Sequence, residues 1–87
     1  MWFVYILCCA DDSLYIGATN DVASRVAKHN EGTGAAHTAK HRPVRLVYTE
    51  GYANRLDCLE RERQLKRWTR AKEQALIAGD NATLKSL

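Results

Sequence analysis

The sequence is poor in several features that mark particular classes of protein. Its 87 residues include one proline and five glycines and no low-complexity segment, which excludes a collagen-like or disordered chain. No apolar run approaches the roughly 18 residues that span a bilayer. No basic residues precede the apolar segment 1–9, so we expect neither a membrane span nor a signal peptide. The sequence predicts one folded domain in the cytoplasm.

Cysteine is scarce and is not spaced as in a disulfide framework or a zinc motif. Cys8 and Cys9 are adjacent, Cys58 is distant, and the chain has no Cys-x-x-Cys pair. An odd, irregularly placed set of three cysteines is typical of a reduced intracellular protein. The sequence therefore predicts no disulfide and no zinc site.

The excess of one charge sign is also small, with a formal net charge of +3, but the charge is unevenly distributed. Residues 1–43 carry four basic and four acidic side chains, whereas residues 44–87 carry nine and six. A basic half is typical of proteins that bind polyanions, although the solvated face of a helix has the same composition. Charge alone leaves both interpretations open.

The pattern of apolar residues and turn formers predicts six elements in the order β-β-α-β-α-α. Strands are predicted at 2–9, 14–19 and 44–50, where aromatic and β-branched residues are frequent. Helices are predicted at about 21–30, 54–68 and 70–78, the first of them capped by Asn20 or Asp21. Residues 31–43 are expected to form a loop and residues 80–87 a flexible tail. We therefore predict an α+β domain over residues 1–79, with a small three-stranded antiparallel sheet flanked by helices.

The long predicted helix places one carboxylate on its apolar face. At about 100° per residue, Glu62 lies between Cys58 and Leu65 on that face, whereas Glu60 lies on the opposite, basic face. A carboxylate among apolar side chains is costly unless it is paired or binds a metal. Two explanations stay open from the residues alone: a structural ion pair with an arginine from elsewhere in the chain, and a metal ligand.

Two tyrosines and two basic residues fall on the predicted inner faces of the hairpin and the first helix. An odd-length turn places Tyr5 and Tyr15 on one face of the sheet, with Gly17 leaving space beside Tyr15, whereas an even turn separates the tyrosines. In the helix, His29 lies on the apolar stripe and Arg25 on its flank, one turn away. An anion between Arg25 and His29 would relieve their repulsion. A purely structural role is the simpler interpretation of the hairpin, or of His29, taken alone.

These residues resemble the paired motif of the GIY-YIG nuclease superfamily. Phe3-Val4-Tyr5, followed by Leu14-Tyr15-Ile16-Gly17, is similar to that motif, although Phe3 stands where the name-giving sequence has glycine. Arg25 and Glu62 fall where the family keeps its arginine and its metal-binding glutamate. The resemblance covers residues 2–78 and is greatest to small bacterial members that carry only the nuclease domain.

The resemblance implies a metal-dependent endonuclease that hydrolyses DNA phosphodiester bonds. It implies Mg²⁺, or Mn²⁺ in its place, held by Glu62, with Arg25 stabilising the charge on the phosphate. Tyr5 is implied as the general base or relay for the attacking water, and Tyr15 as the group that positions the water and the phosphate. His29 is implied as an acceptor of a proton from a tyrosine or from the water.

Substrate contacts are expected from the surface around these residues. Gly17 would let the substrate approach the sheet, and side chains of the middle loop would contact phosphates: His37, Lys40, His41 and Arg42. The mild charge predicts modest, salt-sensitive affinity. The absence of a recognition helix favours single-stranded, flap or branched DNA, as in repair or recombination, over a specific duplex sequence; RNA stays an alternative substrate. A different class of function is a catalytically weak module on the same fold that binds nucleic acid or a partner.

Overall fold

A computed structural model of the chain describes residues 1–86. The elements follow the predicted order, with two additional short helices. They are β1 (Trp2–Cys8), β2 (Leu14–Thr19), α1 (Val22–Glu31), α2 (Ala36–Lys40), β3 (Arg45–Tyr52), α3 (Arg55–Leu65), α4 (Arg70–Ala78) and α5 (Asn81–Ser86). Within the described residues, no helix has both the length and the apolar character needed to cross a membrane.

The three strands form one antiparallel sheet in the order β2-β1-β3, which confirms the predicted α+β class. The near-continuous apolar run of β1 suits a central strand that is covered on both faces. In the β1–β2 register, Tyr5 lies opposite Gly17 and Leu7 lies opposite Tyr15. The odd-length connection 9–13 therefore places the two tyrosines on the same face of the sheet.

Each face of the sheet carries its own apolar core. On one face, Val4 and Ile6 of β1 pack with Cys58 and Leu65 of α3, all with no exposed surface. On the other face, Tyr5 and Leu7 form a second cluster with Cys9, Val44, Tyr15 and Val26 of α1. The sheet thus separates α1 from α3, so side chains from these two helices approach β1 from opposite sides.

The first helix begins and ends where the sequence predicts. Asp21 is the N-cap, and its carboxylate accepts a hydrogen bond from the Ser24 N–H at 3.1 Å. Gly32 ends the helix with φ 86°, a left-handed conformation that glycine adopts without strain. These two signals fix the length of α1 and therefore bring His29 into its last turn.

The long predicted helix at 54–68 ends earlier, at Leu65. The N–H groups of Arg67 and Trp68 donate to carbonyls three residues earlier, which tightens the chain into a turn. The Thr69 hydroxyl then accepts from the Lys72 N–H at 3.3 Å and begins α4. Local capping thus divides the predicted helix from the next one.

Two short helices occupy segments for which the sequence predicts a loop and a tail. Within the predicted loop 31–43, α2 is stabilised by its buried residue Thr38. In the C-terminal segment, α5 begins after Asp80, whose carboxylate accepts from the Thr83 N–H at 3.1 Å. Leu87 lies outside the described residues, and the flexibility of segment 80–87 stays a prediction.

Candidate active site

A chain of buried hydrogen bonds runs from Tyr5 through His29 to Thr38. The Tyr5 hydroxyl lies 3.0 Å from His29 Nε2, and His29 Nδ1 lies 2.7 Å from Thr38 Oγ1. Thr38 Oγ1 donates its single proton to the Ala35 carbonyl at 3.0 Å. His29 Nδ1 must therefore carry the proton that Thr38 accepts, and Nε2 is left to accept from Tyr5. We assign the Nδ1–H tautomer of neutral His29 from this network.

Two glycines make room for this chain. A Cβ atom on Gly17 would lie 2.3 Å from the Tyr5 hydroxyl oxygen, and one on Gly34 would lie 2.4 Å from His29 Nδ1. Both distances are too short for any larger residue unless the rings move. The space beside Gly17, which the sequence predicts for substrate, is therefore filled by Tyr5. Gly34 and Thr38 were not identified from the sequence, since neither belongs to the paired motif.

Tyr15 completes a cluster of three rings. Its ring centroid lies 6.5 Å from that of Tyr5 and 5.0 Å from that of His29. Tyr15 is half-buried, and within residues 1–86 its hydroxyl makes no hydrogen bond. Of the three polar ring ends, the Tyr15 hydroxyl is thus the one without a protein partner, and it can contact a water or a substrate.

Burial sets the protonation states of Tyr5 and His29. It raises the pKa of Tyr5 to about 12, with a further increase from Tyr15 and, after an opposing effect of Arg25, a smaller one from Glu62. Burial also lowers the pKa of His29, and the nearby Arg25 cation lowers it further. At neutral pH the pair is therefore a protonated phenol beside a neutral imidazole. Arg25 and Glu62 both act electrostatically on Tyr5 although they come from helices on opposite faces of the sheet.

Glu62 has a weaker partner than its position on the apolar face suggests. Its side chain is 19% exposed, and Lys66 Nζ, one turn later on the same helix, lies 3.4 Å from Oε2. A pair of this kind, one turn apart on a helix, stabilises it by only about 0.3–0.5 kcal/mol. The predicted alternative of an ion pair with a distant arginine is absent from Glu62 in the described chain. Arg25 is exposed, and its guanidinium makes no hydrogen bond or ion pair within residues 1–86.

A carboxylate paired with an arginine does exist, at the opposite edge of the sheet. Glu50 on β3 accepts hydrogen bonds from the hydroxyls of Tyr48 and Tyr52 and from Arg61 Nε, the last at 2.9 Å. Burial opposes ionisation, but these three donors outweigh it and hold the pKa of Glu50 below its ordinary value. Glu50 is thus saturated by protein donors, whereas Glu62 retains acceptor capacity.

The residues predicted to bind substrate do not form one group. His37 lies beside Tyr15 and Lys66 in a surface pocket of about 240 Å³, and its Nε2 is 2.8 Å from Ser13 Oγ. Lys40 and Arg42 line a different depression. Arg42 donates to the carbonyls of Ala39 and Asn30, at 3.1 and 3.3 Å, so it already stabilises the ends of α2 and α1.

The donor set at Glu62 fits the metal that the sequence implies. One carboxylate with waters and phosphate oxygens is a common arrangement for Mg²⁺, which rarely has an all-protein cage. Within the described residues, the one cluster of three metal-ligating side chains lies elsewhere, at Cys9, Asp11 and His37.

Comparison with known proteins shows a family match over most of the chain. The family described as "GIY-YIG catalytic domain" matches residues 1–75, which include Tyr5, Tyr15, Arg25, His29 and Glu62. UPF0213 proteins of Staphylococcus aureus strains Mu3 and N315 are each 51% identical over 75 residues, covering 86% of this chain and 92% of theirs.

A solved structure agrees with the fold. The solution NMR structure of a UPF0213 protein from Bacillus halodurans is similar with a TM-score of 0.59 and 38% identity, covering 90% of this chain and 84% of that chain. The family is one of nucleases, so membership implies a nucleic-acid substrate. The chain therefore belongs to the GIY-YIG nuclease family, as its motifs indicate, and its relatives include small UPF0213 proteins.

Proposed function

We propose that the protein is a Mg²⁺-dependent endonuclease that hydrolyses phosphodiester bonds in single-stranded or branched DNA, with a role in repair or recombination. The observation that carries the proposal is the buried hydrogen bond from Tyr5 to neutral His29, with Arg25 and Glu62 in electrostatic range. A phenol aimed at an imidazole lone pair, between a guanidinium and a carboxylate, is suited to moving a proton near a phosphate.

In the proposed reaction, Tyr5 acts as a relay rather than as a phenolate base. A pKa of about 12 leaves almost no phenolate at neutral pH. The Tyr5 oxygen accepts a proton from the attacking water while its own proton passes to His29 Nε2. The Nδ1–H of His29 continues to donate to Thr38 Oγ1, so the imidazolium is formed without reorientation of the ring.

Charge on the phosphate is stabilised from two sides. Glu62 would hold the cation, which would supply Lewis-acid stabilisation of the phosphate. Arg25, which has no competing partner in the described chain, binds phosphate oxygens through its planar fork. Tyr15, with its hydroxyl unpaired, positions the water and the scissile phosphate.

The shape and charge of the surface around Tyr15 favour a substrate that makes few contacts with the protein. The net charge of +3 supports few phosphate contacts. His37 and Lys66 adjoin Tyr15 in one pocket and can contact the strand near the scissile bond, whereas Lys40 lies further along the surface. A flexible single strand or a branch point reaches such a surface more readily than a straight duplex does.

A cleavage assay on labelled single-stranded, flap, branched and duplex DNA, and on single-stranded RNA, tests this proposal. We expect Mg²⁺ or Mn²⁺ to support cleavage of single-stranded or branched DNA, and EDTA to abolish it. Binding of these substrates without cleavage under any cation would favour the alternative, a binding module. Preferential cleavage of RNA would support phosphodiester hydrolysis but contradict DNA as the substrate.

A further inference from the structure

Three side chains with metal-ligating chemistry meet where the β1–β2 turn contacts α2. The ligand atoms of Cys9, Asp11 and His37 all lie within 4.8 Å of one another. Cys9 is buried at the end of β1, whereas Asp11 and His37 are exposed. The residues are too far apart in sequence to form a recognisable motif, so only the fold reveals the cluster. We infer that Cys9, Asp11 and His37 form a binding site for a transition-metal ion, with Zn²⁺ as the favoured occupant.

The mixture of donors selects the metal. Thiolate, imidazole and carboxylate are the three ligand types of protein zinc sites, whereas Mg²⁺ and Ca²⁺ prefer oxygen alone. In a tetrahedral site, Zn–ligand bonds of about 2.0–2.3 Å place the ligand atoms about 3.3–3.8 Å apart. With separations of at most 4.8 Å, the cluster needs to contract by no more than about 1–1.5 Å, and the exposed side chains of Asp11 and His37 can make this movement. Three protein ligands leave a fourth position for water.

Residues next to the cluster already orient the Asp11 carboxylate. The side-chain hydroxyl of Ser13 donates to Asp11 Oδ1 at 2.6 Å and its backbone N–H at 3.1 Å, while His41 Nδ1 lies 3.3 Å from Oδ2. The His37 and His41 rings lie 4.7 Å apart. Partners of this kind hold metal ligands in place and raise affinity for the metal.

The position of the cluster gives the bound ion a consequence for the candidate active site. His37 precedes Thr38, whose hydroxyl accepts from His29. A metal between the β1–β2 turn and α2 would fix α2 and thereby the imidazole that bonds to Tyr5. It would also withdraw His37 from phosphate contact. Metal binding at this cluster does not depend on whether the protein cleaves DNA.

Titration of tag-free, EDTA-stripped, reduced protein with Co²⁺ and Zn²⁺ tests the site. We expect one equivalent of Co²⁺ to produce a thiolate-to-cobalt band in the near ultraviolet and visible bands of tetrahedral cobalt, both displaced by Zn²⁺. At a free concentration a hundredfold above its dissociation constant, Zn²⁺ should raise the melting temperature by about 10–20 °C. Absence of the thiolate band and of a zinc-dependent melting shift would overturn the inference.

Adjacent residues provide matched controls. Asp11→Asn should weaken Zn²⁺ binding at least tenfold, whereas Asp12→Asn, which changes an exposed carboxylate one position later, should not. Cys9→Ser should remove the thiolate band, and Cys8→Ser should retain it. Because Cys9 is buried and its variant can fail to fold, His37→Ala at an exposed position provides a second test. Unchanged affinity in both Asp11→Asn and His37→Ala would show that the metal binds elsewhere.

Discussion

At the scale of single residues, the hydrogen bond between Tyr5 and His29 makes the protonation state of His29 decisive for the proposed reaction. Burial and Arg25 lower the pKa of His29 below its ordinary value of 6.5. The imidazole is therefore neutral, and able to accept a proton, at neutral pH and somewhat below 6.5. It loses this ability only as the pH falls through its lowered pKa.

The pH dependence of kcat/KM separates the relay from a phenolate base. We expect kcat/KM to be nearly constant from about pH 7 to 9 and to decline only in more acidic solution, as the pH falls through the lowered pKa of His29. A phenolate with a pKa of about 12 would instead give a rise of about tenfold per pH unit across that range. Such a rise would assign the proton acceptor to Tyr5 alone and contradict the relay.

Substitution of Gly17 tests whether the Tyr5 ring needs the space that this glycine leaves. Gly17→Ala places a methyl group 2.3 Å from the Tyr5 hydroxyl, and the buried ring can escape only by breaking its bond to His29. We expect a loss of about 1–3 kcal/mol in the free energy of unfolding, measured by urea denaturation. Gly51→Ala, at an exposed strand position where the nearest atom is Met1 Sδ at 3.1 Å, is the control and should change stability little. Equal effects would show that the contact with Tyr5 is not the cause.

At the scale of elements, the sequence predicts well where periodicity or capping is strong. The stripe of Cys58 and Leu65 on α3 is buried as predicted, with Glu62 between them and Glu60 exposed. The burial of the stripe follows from local spacing, which a sequence shows directly. The shared face of Tyr5 and Tyr15 is one of two arrangements that the sequence leaves open, and the observed β1–β2 register decides between them.

Elements fixed by distant contacts could not be predicted in the same way. Helix α2 is five residues long, too short to show a helical period. Its buried Thr38 is held by His29, nine residues earlier, in a contact that no local pattern reveals. The end of α3 was misplaced for a different reason, because Thr69 as a helix cap competes with the continuing helical pattern. The cluster of Cys9, Asp11 and His37 likewise depends on the packing of α2 against a turn.

The link between β3 and α3 through Glu50 makes a stability prediction. Glu50→Gln removes the charge that binds Arg61 and two tyrosine hydroxyls, in a setting where each side chain of the ion pair is less than one-quarter exposed. We expect a loss of about 2 kcal/mol in the free energy of unfolding. Glu60→Gln, at an exposed position on α3 next to Arg61, should cost less than about 0.5 kcal/mol. A negligible loss of stability in Glu50→Gln would mean that the cost of burying the Glu50 charge cancels the stabilisation from its hydrogen bonds.

At the scale of the whole molecule, the sheet brings together groups that the chain separates widely. Arg25 comes from the helix on one face and Glu62 from the helix on the other, and both act on Tyr5. Because β2 is an edge strand, we expect a phosphate to approach both groups along its open edge. Thus two helices on opposite faces serve one proposed site without a separate binding domain in the described chain.

Contacts between basic side chains and phosphates should make DNA binding depend on salt concentration. Lys40 is exposed on α2 and is predicted to contact phosphate, so Lys40→Ala should weaken binding to single-stranded DNA and reduce the slope of log K against log salt by about 0.7. Arg42→Ala is a different kind of variant, since Arg42 bonds to the ends of two helices and its loss should lower stability. An unchanged slope in Lys40→Ala would remove Lys40 from the binding surface.

The most direct test of the proposed nuclease is a comparison of Glu62→Gln with Glu60→Gln. Both changes remove one charge from α3, but only Glu62 is partly buried and acts electrostatically on Tyr5, whereas Glu60 is exposed. Glu62→Gln should lower Mg²⁺-dependent kcat/KM at least about 100-fold, because the cation loses its ligand, while folding and DNA binding are retained. Glu60→Gln should cleave like the unaltered protein. Equal cleavage by the two variants would contradict the assignment of Glu62 as the metal ligand, and with it the proposed active site.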